Sequence, residues 1–147
     1  MDPITHLITT RKLVSKKPII MIAGIAADLP FYLNYPAWVM TKGNLKNAAQ
    51  NKDWPKPPSW IETTHHVFHS IPVVTVVFIL TRIIKKQLPI NVFKAWLLHI
   101  LIDLPTHSRK QWGPRFLWPF SDYAMDGISW VDILYRIRQL HKSKEST

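Results

Sequence analysis

The segment His99-Ile-Leu-Ile-Asp103-Leu-Pro-Thr-His107 sets an imidazole, a carboxylate and a second imidazole at four-residue intervals in an otherwise apolar stretch. On a helix each such step turns the chain about 400°, so the groups drift only about 40° per step and share one face. Polar groups buried among Leu and Ile cost roughly 1–3 kcal/mol each unless satisfied, and an unpaired charge costs more. A divalent ion satisfies all three together. The alternative is a buried His–Asp hydrogen bond that pins two helices. Pro105 is expected to end or kink this helix before His107.

A second group lies upstream. His65, His66 and His69 fall within five residues. His65 and His69 are four apart and face the same way, while His66 and His69, three apart, nearly do. Two helices that each offer ligands at helical spacing are the usual arrangement of a metal site inside a bundle. The competing reading is a polar or pH-sensitive patch. Asp28, set in an apolar run, is a candidate bridging carboxylate, or else a helix-terminal or headgroup contact. His6, near a helix start, is either a further ligand or an ordinary structural histidine. Asp122 and Asp126 could hold a second ion or substrate, with capping of a following helix as the simpler role. His107 is the candidate general acid, or a partner that orients a ligand.

These groups need helices to carry them. Asp2-Pro3 reads as an N-cap and first helical residue, opening a helix to about Lys16. Pro18 restarts the chain, and the apolar run to about Tyr35 reads as a second helix holding Asp28, distorted later by Pro30 and Pro36. Residues 42–58, rich in Lys, Asn and Pro, read as a surface loop. Ser59-Trp-Ile-Glu62 matches a capping box that starts the histidine-bearing helix, which Pro72 kinks just beyond Ser70. Pro89 and Asn91 precede the helix of His99 and Asp103. The aromatic, Pro-containing stretch after His107 reads as an ordered loop, and a last helix covers roughly 128–142 before a polar tail. Strand patterns are weak throughout. The expectation is an all-α bundle of about five helices in one domain, residues 1–142, with 143–147 as the tail.

Composition narrows the chemistry. The 147 residues contain no Cys, which excludes disulfide frameworks and thiolate zinc sites. Imidazole and carboxylate donors suit zinc, with manganese as an alternative. The formal charge is +10, from 19 Lys and Arg against nine acids, which favours anionic substrates or anionic lipid. Lys and Arg are scattered rather than gathered on one helix, so no specific nucleic-acid partner is expected. There is no glycine-rich phosphate loop, nucleophile elbow or HExxH helix.

Two apolar segments, 18–41 with Asp28 as its single charge and 63–81 with three histidines, are each long enough to cross a bilayer. The competing reading is a pair of buried core helices; a cleaved signal peptide fits less well. If both cross, eight basic residues face four, which places the N-terminus on the cytoplasmic side.

In order and spacing the chain resembles the YdjM-like family of inner-membrane, predicted metal-dependent hydrolases, some of them LexA-regulated, related to the zinc-dependent phospholipase C type of fold. The matching residues are His69-Ser70, His99-Ile-Leu-Ile-Asp103 with Thr106-His107, and Phe116-Leu-Trp-Pro-Phe-Ser121, and the resemblance runs from Thr5-His6-Leu7 through that loop. It implies that His6, Asp28, His69, His99 and Asp103 hold the metal. The chain departs from the family pattern at Pro30-Phe31, where a second acid is common, and at His65-His66, where an HRxxxHS context is usual.

The resulting expectation is a membrane-associated or membrane-spanning metal-dependent hydrolase of phosphodiesters or phospholipid, in the inner membrane. Its metal ligands would be His6, Asp28, His65, His69, His99 and Asp103, with His107 as the proton-handling group. The alternative is a non-catalytic membrane protein with a structural metal site or a metal-free polar network. Oligomeric state is not legible.

Overall fold

A computed structural model of the protein describes residues 3–42, 55–85, 89–109 and 113–129, together with 132–133 and 136–137. Its described residues form six helices and no strand: α1 (Pro3–Leu13), α2 (Pro18–Ala23), α3 (Leu29–Thr41), α4 (Ser59–Phe68), α5 (Ile71–Lys85) and α6 (Ile90–Thr106). The bundle is therefore all-α. Helix α6 is the hub and packs on α1, α2 and α5; α3 packs on α4, and α1 on α2.

Prolines start α2 and stand near the start of α1 and α3, where a missing N–H costs nothing. Arg11 and Lys12 close α1, opposite in sign to its C-terminal dipole. The expected single helix from Pro18 to Tyr35 is two helices separated by a turn over 24–28. Pro30 does not distort the second; it lies in the first turn of α3, and only Pro36 is interior. Pro105 likewise sits inside the last turn of α6, which runs to Thr106 and leaves His107 as its C-cap.

The capping box at Ser59 does not form. Pro58 is the N-cap of α4, with no side-chain cap bond, and Glu62 turns to other partners. The expected kink after Ser70 is a full break: α4 and α5 bend by 61° across His69 and Ser70. Of the last expected helix, residues 132–133 and 136–137 are helical and Ile128 and Ser129 are not. The rest of 128–142, residues 43–54 of the expected loop and the tail 143–147 lie outside the described residues.

Two interiors result. Tyr35, Val39 and Ile61, with Phe31 and Trp38 against them, make an apolar core between α3 and α4. The other interior, among α1, the α2–α3 turn, α4 and α6, is built from His6, Thr10, Asp28, His69, His99 and Asp103. Among the described residues no single helix is long and apolar enough to cross a membrane; only the bent pair α4–α5 passes that test together.

Candidate metal centre

Both helix breaks deliver a ligand. At the first, Asp28 is the N-cap of α3 but has a helical backbone (φ −83°, ψ −23°) and makes no cap bond, so its carboxylate stays available. At the second, His69 ends α4 (φ −101°, ψ 12°) and its ring is fully buried. Helix α6 contributes His99 and Asp103 one turn apart, and α1 contributes His6, stacked on His99 with centroids 3.9 Å apart.

Backbone carbonyls orient the two central imidazoles. His69 Nδ1 lies 2.8 Å from the His65 carbonyl, and His99 Nδ1 lies 2.8 Å from the Gly24 carbonyl. A carbonyl can only accept, so each Nδ1 carries a proton and donates it. Each Nε2 is thereby turned inward, the arrangement that outer hydrogen bonds impose on metal-binding histidines. Gly24 is required by space: a Cβ there would stand 2.2 Å from Thr10 Oγ1.

The inward atoms define a compact polyhedron. His69 Nε2 is 3.2 Å from His99 Nε2, 3.2 Å from Asp28 Oδ1 and 3.4 Å from Asp103 Oδ2. His99 Nε2 is 3.6 Å from Asp28 Oδ1 and 3.2 Å from Asp103 Oδ2. Four donors around a zinc ion at about 2.0–2.1 Å would stand about 3.3 Å from one another. These five distances match five of the six edges of such a tetrahedron. On the outer side of Asp103, His6 Nε2 lies 3.1 Å and His107 Nδ1 3.5 Å from Oδ1. Donor atoms of His6, Asp28, His99 and Asp103 all fall within 4.8 Å of one another, as do those of Asp28, His65 and His69, so Asp28 belongs to both sets. Its Oδ2 is buried without a hydrogen-bond partner. Convergent imidazoles, two carboxylates and an unsatisfied buried oxygen fit a divalent ion, and these buried groups can hold one.

Electrostatics express the same demand for positive charge. Burial alone would favour neutral imidazoles, yet hydrogen bonds to Asp103 and Asp28 outweigh it and raise His69 to about 9. His99 is raised against burial by the same two carboxylates. Burial would raise both carboxyl groups, but hydrogen bonds from His69 and His99 hold Asp28 well below the usual carboxylate range, and His6 joins them at Asp103. Burial prevails at His6 and His65, which are lowered, and at His107, which falls to about 4.

The structure thus gathers seven of the residues singled out in the sequence, His6, Asp28, His65, His69, His99, Asp103 and His107, into one connected cluster. His107 is the only described histidine that is not buried. His66 does not join them; its Nε2 faces Glu62 Oε1 at 3.7 Å. Asp122 and Asp126 also stay away: Asp122 pairs with Arg115 at 2.8 Å, and Asp126 accepts the Arg109 N–H at 2.9 Å. Both are engaged in fastening the loop, away from the cluster.

That loop is a brace missed in the sequence. The Phe116 carbonyl accepts the Ile71 N–H at 2.9 Å, and the Trp118 carbonyl accepts from the Ser70 hydroxyl, directly behind His69. At its other end, Gly127 donates to the His107 carbonyl and Ile128 to the Pro105 carbonyl, both at 2.9 Å. A Cβ at Gly127 would lie 2.4 Å from the Pro105 carbonyl, so only glycine permits this approach. The loop joins the two ligand-bearing helix ends. The aromatic, Pro-containing stretch was legible as an ordered loop, but its bonds to both helix ends run through backbone groups that side-chain type does not announce.

Comparison with known protein families, curated proteins and solved structures gives no match.

Proposed function

We propose that the protein is a membrane-bound, zinc-dependent hydrolase acting on a phosphodiester, with the ion held by His69, His99, Asp28 and Asp103. The observation that carries this reading is the convergence of two Nε2 atoms and two carboxylate oxygens at 3.2–3.6 Å, with both Nδ1 atoms tied to carbonyls. The sequence resemblance to the YdjM-like family points the same way. When bound, zinc supplies water acidified toward a pKa of about 7 and a Lewis acid for a phosphoryl oxygen. The chain's own residues do the remaining work. His6 supports Asp103 from its far oxygen. His107, lowered to about 4, is neutral at pH 7 and stands beside Asp103 as the group that would take the proton given up by water and return it to the leaving oxygen. Its partial exposure, 13 % for the side chain, supports its placement where substrate enters.

Membrane attachment is supported by the outer surface. On α5, Val76, Val77, Ile79, Leu80, Ile83 and Ile84 are between 46 % and 75 % exposed. Such an apolar face around a polar interior favours lipid as its solvent. Manganese is the alternative ion for this donor set.

Metal content decides the reading. Mass spectrometry of detergent-purified protein should find one or two equivalents of zinc or manganese in the wild type and none in a His99→Ala, Asp103→Ala double variant. A folded wild type that takes up neither ion would end the hydrolase reading and leave a polar network.

A further inference from the structure

One charged cluster outside the metal centre has no role in the chemistry above. Glu62, His66 and His69 occupy positions i, i+4 and i+7 of one stripe that runs along α4 and on to its C-cap. The stripe leads from the helix start to the metal centre, a rise of about 10 Å. Arg115 stands over its outer half. Its Nη2 lies 3.6 Å from Glu62 Oε1, and its Nη1 lies 2.8 Å from Asp122 Oδ1. The next residue, Phe116, accepts the Ile71 N–H, so the backbone that carries Arg115 is anchored beside the α4–α5 break.

His66 is the anomaly. It is only 7 % exposed, and neither ring nitrogen has a hydrogen-bond partner. Leaving a buried polar group unsatisfied costs about 1–3 kcal/mol. Glu62 Oε1, 3.7 Å from His66 Nε2, is beyond hydrogen-bond reach and also loose on Arg115. One carboxylate oxygen is thus shared at poor distance between two donors that a tetrahedral anion, with several oxygens, would satisfy together. Glu62 is itself 35 % exposed, so its side chain can leave.

We propose that Arg115 and His66 form an anion subsite for a phosphate group of the substrate, one to two helical turns from the metal centre, with Glu62 as its built-in occupant. The subsite rests on the hydrolase reading for its purpose, and it selects substrates that carry a phosphate at that distance from the bond cut. Glu62 Oε1 stands within 3.7 Å of both donors until a phosphate displaces it.

The probe is inorganic phosphate, titrated calorimetrically into full-length protein in detergent, both zinc-loaded and chelator-stripped, so that phosphate on the ion and phosphate on the subsite are separated. Arg115→Gln is expected to weaken the zinc-independent binding at least about tenfold. Glu62→Gln, which removes the internal competitor and keeps its shape, is expected to tighten it about fivefold. Zinc content should be unchanged in both. If Arg115 merely fastens the loop, Glu62→Gln would leave phosphate binding unchanged or weaker, and the subsite would be overturned even if Arg115→Gln failed to fold. Absence of zinc-independent phosphate binding in the wild type would overturn it equally. Failure of the hydrolase reading shows separately, as a protein that takes up no metal.

Discussion

His69 carries the clearest physical consequence of the site. Without a metal it keeps a proton up to about pH 9, because Asp103 and Asp28 outweigh its burial. A group raised above its unfolded value stabilises the fold fully below that unfolded value, near 6.5, and the contribution is lost as pH rises toward 9. His107 has the opposite sign. Lowered to about 4, it opposes folding progressively as pH falls from 6.5 toward 4, since only the unfolded chain takes the proton readily. His6 and His65, also lowered, add to the acid side. The melting temperature of chelator-stripped protein should therefore peak between about pH 6 and 7 and fall on both sides. Zinc must displace the His69 proton and compete with the one His99 holds, so its affinity should rise at least about tenfold per pH unit between pH 6 and 8. A zinc competition titration independent of pH would contradict the assignment of His69 as a ligand.

Helices matter here through where they stop. The two breaks place Asp28 and His69, and in each case a backbone carbonyl beside the break is what holds an imidazole. At the first, Asp28 N–H bonds to Ile25 rather than to Gly24, leaving the Gly24 carbonyl for His99. Gly24 also lets α1 approach, since any Cβ would meet Thr10 Oγ1. Gly24→Ala is expected to cost about 1–3 kcal/mol of stability through overpacking and to weaken zinc binding by disturbing that carbonyl. Adding Thr10→Ala should recover most of both losses, measurable by thermal melts and zinc titration. Equal losses in the single and double variants would mean that the Thr10 contact is not the cause. From the sequence, the helices at both ends of this machinery, α1 and α6, were legible by their proline starts and apolar runs. The interruption at 24–28 was not, because a run of Ile, Ala and Gly gives no local signal that one helix ends and another begins.

Across the whole molecule, charge and apolar surface act together. The net charge of +10 and the exposed aliphatic side chains of α5 both favour an anionic lipid surface. In vesicle flotation, protein freed of detergent should bind phosphatidylglycerol vesicles more strongly than phosphatidylcholine ones. Ile83→Asp with Ile84→Asp should reduce that binding at least about tenfold, since each charge opposes burial in lipid. Metal content should be unaffected, because both side chains lie on the outer surface, 66 % and 75 % exposed. Equal binding by the variant would count against α5 as the proposed lipid-facing surface.

Local chemistry was readable residue by residue. His99 and Asp103 at i, i+4, the histidines of α4 and an isolated Asp28 announced themselves as polar groups in apolar surroundings, whose cost demands a partner. Helical spacing also determined that His65 and His69 share a face. The sequence could not determine which polar groups meet, because that depends on contacts between residues as far apart as His6 and Asp103, separated by 97 positions. Spacing set His66 only nearly in line with His69 and left it out of the expected ligands; in the fold a change of 100° around the helix axis sends it toward Glu62 and His65 toward the cluster. Tertiary packing alone turned the Nε2 atoms of His69 and His99 toward each other, since the carbonyls that aim them are backbone groups with no signature in side-chain type.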